Sequence, residues 1–349
     1  MSAEPQRRRP PTLEHVARVA GVSRATVSRV INGVGTVDPA LREAVQRAIA
    51  HTGYLPNPAA RALVTRRTGS IALVVSEAEQ REVAEPFIGR VFTDPFFGRV
   101  VTGILRVLRP AGMQLMLFLA EDTPAREQVT AYLRQGHVDG VVLISTHATD
   151  PLPGALVDAA LPVVLSSRPA RLMPISYVDA DQRIGGMLAA ERLLDRGCRR
   201  LATISGPLDM PASRERLAGF TEALATRGVP EAPNVAGTFT LDSGELAMGR
   251  LLAEHPDTDG VFIGNDLMAQ GALLLLRDRG IPVPEKLAVV GFDDSSAALA
   301  SRPRLTTVRQ PIEDMAEEMA RLLLAHIDDP DRAVSAHVFT PSLVRRESG

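Results

Sequence analysis

From Ser70 onward, short apolar stretches alternate with amphipathic stretches of helical spacing, and this alternation constrains the fold more than any other feature of the chain. The apolar stretches are predicted to be buried strands, at 71–75, 114–119, 140–144, 163–165, 201–204, 260–263 and 287–291. Helices are predicted between most of them, at 98–109, 125–135, 183–196, 214–227, 244–254 and 266–279, with a last one at 311–327. The pattern predicts a parallel, doubly wound α/β body, and its length indicates two sheets with a ligand crevice between them.

The N-terminal seventy residues carry a charge opposite to that of the rest. They hold eleven arginines and four acidic residues, a net +7, whereas the remaining residues carry −9, which leaves the whole chain at −2. A cationic head on an anionic body predicts a polyanion-binding module joined to a module for another ligand.

The chain lacks sequence signals for secretion, membrane insertion or metal binding. No apolar run approaches the ~18–20 residues of a spanning helix, and the first eleven residues are rich in arginine and proline. The single cysteine, Cys198, is expected to be structural, and the seven histidines show no ligand spacing. We therefore expect a cytoplasmic protein without metal, cofactor or membrane contact, and with a flexible basic arm at 1–11.

Three short helices are predicted in the head. Thr12 can cap the first, Ser23 the second and Asp38 the third, and Gly21 and Gly53 can end the first and the third. This spacing suits any three-helix module, and the charge favours one that binds nucleic acid.

The runs 12–33, TLEHVARVAGVSRATVSRVING, and 53–63, GYLPNPAARAL, resemble the head and hinge of LacI/GalR-family transcriptional regulators. Later segments resemble successive parts of the same family, so that the resemblance covers about residues 12–347; they are 94–98, 136–141, 205–208, 213–220, 265–269, 289–294 and 305–311. The resemblance implies an all-α helix-turn-helix head and a periplasmic-binding-protein-like α/β body of two doubly wound parallel-sheet lobes.

The domain boundaries follow from pattern and resemblance together. We expect a helix-turn-helix domain at 12–53, a hinge with a conditional helix at 54–70, and an effector-binding and dimerisation domain at 71–349. Within that domain, lobe 1 is expected at about 71–174 and 305–334, and lobe 2 at about 175–304 and 335–349.

The second helix of such a head enters the major groove of DNA, where its first exposed side chains meet base edges. Arg24 can fork onto a guanine and Ala25 can touch a thymine methyl group, and the resemblance makes these two the specificity pair. A solvated helix face is the alternative. The predicted DNA-binding residues of the head are Thr12, Leu13, Ser23, Arg24, Ala25, Thr26, Ser28, Arg29 and Asn32.

The hinge is predicted to form a helix only against a partner. Asn57 can cap it, but seven residues are far below the ~12–15 at which an isolated helix becomes stable. The resemblance implies that the same segment of a second subunit is the partner, that Leu63 wedges into the minor groove, and that Asn57 and Ala60 also contact DNA. The alternative for Leu63 is packing onto the body.

Several residues at predicted strand ends have the chemistry to hold a polyol. Guanidinium, carboxylate and amide groups bind vicinal hydroxyls, and an aromatic face packs on the C–H side of the ring. By the resemblance, the effector contacts are Arg214, Asn265, Asp293 and Gln310, with Phe239 as the stacking ring, Phe96 as a second wall and Arg168 as an arginine found in a subset of members. Alternatively, Asn265 caps a helix and Asp293 closes a loop.

We therefore expect a homodimeric repressor of sugar-utilisation genes that binds a pseudo-palindromic double-stranded operator under the control of a mono- or disaccharide. The length of the segment 76–93 and the sequence of 177–181 are similar to those of cellobiose-responsive members. A purine or a phosphoprotein is the alternative effector. A sugar-processing enzyme and a transport binding protein are the other classes, but no catalytic motif is present and no catalytic residue is expected. Whether the effector releases or promotes DNA binding is not encoded in any single residue.

Overall fold

The computed structural model describes residues 11–33, 37–55, 67–77, 86–145, 147–229 and 231–349. The chain divides into two units, residues 1–69 and 70–349, which are described separately below.

In its described residues the head contains three helices: α1 (Leu13–Ala20), α2 (Arg24–Ile31) and α3 (Pro39–Thr52). The side chains of Thr12, Ser23 and Asp38 cap α1, α2 and α3 respectively, because each accepts a hydrogen bond from a backbone N–H of the first turn. Gly21 and Gly53 adopt the left-handed conformation that ends α1 and α3. The small core is formed by Val16, Ala17, Val27, Val45 and Ala48, as the apolar spacing predicts.

The body contains two six-stranded sheets within the part of the chain that the structure describes. The first has the order β11-β5-β4-β3-β1-β2, formed by β1 (Ser70–Ser76), β2 (Gln114–Ala120), β3 (Gly140–Ser145), β4 (Val163–Ser166), β5 (Ser176–Ala180) and β11 (Ala336–Phe339). The second has the order β12-β10-β9-β8-β6-β7, formed by β6 (Leu201–Ser205), β7 (Asn234–Ala236), β8 (Gly260–Ile263), β9 (Ala288–Phe292), β10 (Thr306–Arg309) and β12 (Ser342–Val344).

All strand pairs are parallel except β10 with β12. Helices cover both sheets: α4 (Phe87–Thr93), α5 (Pro95–Leu108), α6 (Thr123–Arg134), α7 (Leu152–Asp158), α8 (Gln182–Asp195), α9 (Pro211–Thr226), α10 (Leu241–Glu254), α11 (Asp266–Asp278), α12 (Ser296–Ala300) and α13 (Ile312–Asp328). Helix α5 can pack closely on α13 because Gly103 has no side chain. A Cβ at this position would collide with Glu313 O and Ala316. The predicted doubly wound body of two sheets is confirmed.

The predicted lobe boundaries require correction. Strand β5 pairs with β4, so residues 176–180 belong to the first lobe, whereas β10 pairs with β9 and belongs to the second. Strand β11 lies in the first sheet, although 335–349 was assigned to lobe 2. The chain therefore crosses between the lobes after β5, after β10 and after β11. Strands β5 and β10 were not predicted, because their sequences, SYVDA and TTVR, are too polar to be apolar runs.

Cys198 packs in the core of the second lobe with Leu201, Phe220 and Phe262, and its thiol lies 3.5 Å from Asp259 O. Burial raises the pKa of this thiol. Both observations agree with the structural role expected for it.

Candidate functional site

The exposed face of α2 carries the side chains predicted to read DNA. Arg24 and Ala25 are exposed in its first turn, and Arg29 follows one turn later with its Nε donating to Ala25 O (3.4 Å). Arg24 lies 3.2 Å from Glu14, but the two side chains are 72% and 56% exposed. Such an exposed pair is weak, so the guanidinium is available to a phosphate or a base edge.

The hydroxyls of Thr12 and Ser23 hold the ends of the helices. Thr12 Oγ1 accepts from His15 N (3.3 Å), and Ser23 Oγ accepts from Thr26 N (3.1 Å) and lies 2.9 Å from Thr26 Oγ1. These side chains fix where α1 and α2 begin, which orients their N-terminal turns.

Two further predicted contacts are partly engaged within the head. Asn32 Nδ2 donates to Ser28 Oγ (3.2 Å), and Leu13 packs against the core of the head. The hinge residues Asn57, Ala60 and Leu63 lie outside the described residues.

In the body, a cavity of about 130 Å³ lies between the two sheets; we call it the central cavity. Of the seven predicted effector contacts, those that line it are Phe96, Phe239, Asn265, Asp293 and Gln310. Asn265 follows β8, Asp293 follows β9 and Gln310 follows β10. The cavity therefore lies at the C-terminal ends of the strands, where a doubly wound fold places its ligand.

Arg216, in the second turn of α9, is the buried cation of this cavity. Its Nε donates to Gln182 Oε1 (2.8 Å) and a terminal nitrogen donates to Gly264 O (2.6 Å). The guanidinium carbon lies 3.7 Å from the centre of the Phe292 ring, and Asp293 Oδ1 is 3.9 Å from the other terminal nitrogen. Burial lowers the pKa of Arg216, an effect that the neighbouring carboxylates oppose.

Two amide side chains bind the carboxylates around Arg216. Gln310 Nε2 donates to Asp293 Oδ1 (2.6 Å), and Gln182 Nε2 donates to Asp179 Oδ1 (3.1 Å). Burial raises the pKa of Asp179 and of Asp293, and Arg216 opposes this rise. The result is a network of carboxylate, amide and guanidinium groups, the set that binds hydroxyls, in which Arg216 and Asp293 form an ion pair at 3.9 Å.

The assignment of Arg214 to the cavity is wrong. Arg214 is exposed and does not line the cavity, whereas Arg216 is buried and does. The two positions differ by about 200° around a helix of 3.6 residues per turn. The buried positions Ser213, Arg216 and Phe220 follow helical spacing on α9, so the periodicity of the sequence contained the signal that distinguishes the two arginines.

Three non-glycine residues of the cavity have a positive φ: Ser167 (79°), Phe239 (65°) and Asp293 (109°). Such conformations are strained for residues with a side chain and collect at binding sites. Asn265 Nδ2 donates a hydrogen bond to Phe239 O (3.2 Å), while Asn265 Oδ1 accepts one from Met268 N (2.9 Å). Asn265 is thus both the cap of α11 and a support for the aromatic wall.

Arg168 does not line the central cavity. It is exposed and lines an adjoining cavity of about 280 Å³, the outer cavity, while its Nε donates to Tyr177 Oη (3.3 Å). Ser167 lines both cavities.

Asp293 and Asp294 do not form an acid–base pair. Asp294 accepts from Arg309 Nε (2.7 Å) and from a terminal nitrogen of Arg346 (2.5 Å), whereas Asp293 accepts from Gln310. Asp294 therefore closes the end of β9, and Asp293 serves the cavity.

Arg99 connects the two lobes beside the cavity. Its Nε and one terminal nitrogen bind the carboxylate of Glu313, each at 2.7 Å, and the other terminal nitrogen donates to Asp293 O (2.8 Å). Since Arg99 is in α5 and Asp293 follows β9, a change in the lobe arrangement must change this contact.

Asp94 is an acid of the cavity that the sequence analysis missed. Its Oδ1 accepts from Phe96 N (2.9 Å) and so caps α5. Burial, together with the charge of Asp293, raises the pKa of Asp94 to about 7.

This raised pKa gives a test by pH. An acid whose pKa is raised by folding binds its proton more tightly in the native state, so the free energy of unfolding falls as pH rises from about 4 to about 7. Asp94→Asn keeps the capping oxygen and removes the charge. We expect the melting temperature of the variant, relative to wild type, to increase between pH 5 and pH 8. If the melting temperatures of the variant and of wild type differed by the same amount at every pH in that range, the raised pKa of Asp94 would be contradicted.

No helix among the described residues is long and apolar enough to cross a membrane. In the same parts of the chain, no cluster of three or more His, Cys, Asp or Glu side chains could hold a metal ion.

Comparisons with known proteins match the DNA-binding head and the part of the body that carries the central cavity. Residues 12–57 match the lacI family of bacterial regulatory proteins, and residues 190–349 match a periplasmic binding protein-like domain. The chain is 47% identical over 348 residues to the HTH-type transcriptional regulator CelR of Thermobifida fusca, covering 99% of this chain and 100% of that protein. It is 32% identical to the ribose operon repressor of Escherichia coli (strain K12), covering 97% and 99% of the two chains.

A solved structure of a CelR–cellobiose complex matches with a TM-score of 0.76 at 45% identity, covering 97% of this chain and 100% of that chain. This chain belongs to the LacI family. It is a DNA-binding transcriptional regulator. The predicted fold class, a helix-turn-helix head with a two-lobed α/β body, is confirmed.

Proposed function

We propose that this LacI-family regulator represses sugar-utilisation genes and that a sugar bound in the central cavity lowers its affinity for the operator. The composition of the cavity supports a sugar best. Asp94, Asp179 and Asp293 can accept hydrogen bonds from hydroxyls, Arg216 can donate to them, and two phenylalanine rings can pack on the C–H face of a pyranose.

Cellobiose is the proposed effector. The relative CelR, which shares 47% identity with this chain over nearly its whole length, has been solved as a complex with cellobiose. A phosphoprotein effector is less well supported, because three carboxylates face a single guanidinium in the cavity. A purine remains the second candidate, since the rings of Phe96 and Phe239 could stack on a base.

The effector contacts are assigned to the residues that line the central cavity. Among these lining residues, the assigned contacts are Asp94, Phe96, Asp179, Gln182, Arg216, Phe239, Asn265, Asp293 and Gln310. Arg216 takes the place that the sequence analysis gave to Arg214.

The DNA-binding state is proposed to be a cytoplasmic homodimer that presents two copies of α2 to a pseudo-palindromic operator. The residues assigned to DNA contact are Thr12, Leu13, Ser23, Arg24, Ala25, Thr26, Ser28, Arg29 and Asn32 of the head, with Asn57, Ala60 and Leu63 of the hinge at 54–70. The head at 12–53 follows a basic arm at 1–11, and the effector domain covers 71–349.

A binding screen tests this function. Purified full-length protein is titrated with cellobiose, with glucose and with a purine base, and heat release and melting temperature are recorded. Saturation by cellobiose is the expected result. Saturation by the purine alone, or by none of the three ligands, would overturn the proposal.

A further inference from the structure

We propose that the outer cavity is the subsite for the second ring of a disaccharide, so that it sets the preference for disaccharides over monosaccharides. The assignment rests on the proposed sugar-binding function and extends it from one cavity to two. Its key side chains are His147, Thr149, Arg168 and Arg171.

Cavity size is the first reason. The central cavity, at about 130 Å³, is smaller than the ~300–1,000 Å³ typical of small-molecule sites. The outer cavity, at about 280 Å³, adjoins it at Ser167, and only the two together reach that range. A third cavity meets the central one beside Asp94 and Phe239, but its volume of about 60 Å³ is too small for a sugar ring.

The lining of the outer cavity is the second reason. It supplies arginine, histidine and threonine side chains, whereas three carboxylates line the central cavity. Arg168 and Arg171 are exposed donors, and Tyr177 Oη orients Arg168 by accepting from its Nε (3.3 Å). His147 Nδ1 lies 3.2 Å from Thr149 Oγ1, while its Nε2 is buried and has no hydrogen-bond partner in the described structure. Hydroxyl groups of a second ring would give these nitrogens partners.

The position of the outer cavity between the lobes is the third reason. His147, Thr149 and Arg168 belong to loops of the first lobe, whereas Pro211 begins α9 in the second. At this rim Ala148 N donates to Asp209 O (3.1 Å), which joins the two lobes directly. A ring held here would contact both lobes, so a disaccharide would favour the lobe arrangement that brings them together at this rim more strongly than a monosaccharide would.

Calorimetric titration with cellobiose, with glucose and with glucose 6-phosphate tests the assignment. The variants are Arg168→Ala and His147→Ala, and the control is Arg199→Ala, which removes an exposed guanidinium outside both cavities. We expect wild type to bind cellobiose more tightly than glucose. Each cavity variant should weaken cellobiose binding by about 5- to 20-fold and leave glucose binding within about twofold, and the control should change neither.

Each other outcome has a definite meaning. Equal losses for cellobiose and glucose, or no loss for either, would overturn the second-ring subsite while leaving sugar binding in place. Glucose 6-phosphate binding more tightly than cellobiose would also overturn it, because the arginines would then serve a phosphate. If wild type bound neither cellobiose nor glucose, the proposed function itself would fail, and the subsite with it.

Discussion

Arg216→Lys is expected to weaken cellobiose binding by about 100-fold, or about 2.7 kcal/mol, because a lysine cannot reproduce the fork of a guanidinium. Arg216 binds Gln182 and Gly264 O, lies over Phe292 and faces Asp293. A compact ammonium group at this position could not hold these partners and a sugar hydroxyl together. Lysine keeps the positive charge, so Asp293 is not left buried beside a neutral side chain.

The matched control is Arg214→Lys, on the same helix two residues earlier. Arg214 is exposed, so the change should leave the affinity for cellobiose within about twofold. Calorimetry measures both affinities, and a thermal melt shows that both variants are folded. A loss of affinity in Arg214→Lys with none in Arg216→Lys would mean that the wrong arginine has been assigned to the cavity.

Arg24→Ala is expected to weaken operator binding by about 1–3 kcal/mol and to relax the preference for one base pair of each half-site, as loss of a base-edge contact does. Arg24 is exposed in the first turn of α2, and its pairing with Glu14 is weak. The operator can be selected from a pool of randomised duplexes with the full-length protein, and affinity is then measured by fluorescence anisotropy.

Arg47→Ala is the control for this loss of charge. Arg47 is equally exposed but lies on α3, where it pairs with Glu43 at 3.3 Å. We expect a smaller loss that is the same for operator and for unrelated DNA. Equal losses of operator affinity in the two variants, with unchanged base preference in both, would show that Arg24 contributes only charge.

The parts of the molecule that local chemistry determines were predictable from the sequence. Thr12, Ser23 and Asp38 mark helix starts because their side chains accept backbone N–H groups, and all three do so in the structure. Most of the apolar strands were equally predictable, since they are buried on both faces of a parallel sheet, whereas β2, at the edge of the first sheet, is only partly buried. Neighbouring parallel strands end at the same edge of a sheet. Asn265, Asp293 and Gln310, which follow β8, β9 and β10, therefore lie together.

What depends on long-range pairing was harder to predict. Strands β5 and β10 are polar in sequence, and only their partners β4 and β9 reveal which lobe each belongs to. Asp94 has the sequence signature of a helix cap, and its second role in the cavity appears only when α5 is placed against Asp293. Arg216 and Arg214 lie in the same short motif, and only the helical period of α9 distinguishes the buried arginine from the exposed one.

Arg99 is a physical element of the body through which sugar binding in the central cavity can be linked to DNA binding. Arg99 in α5 holds both Glu313 of the first lobe and the carbonyl of Asp293 in the second. Any sugar that prefers one lobe arrangement must therefore also change the contacts of Arg99 with Glu313 and with Asp293 O, which lie beside the cavity.

The most direct measurement is the affinity for cellobiose in the presence and absence of saturating operator DNA, together with the affinity for operator at zero and saturating cellobiose. Coupling between two sites is reciprocal, so both ligands must weaken each other by one common factor, expected at about 5- to 150-fold. A cellobiose affinity that is identical with and without operator would contradict control of DNA binding from the cavity.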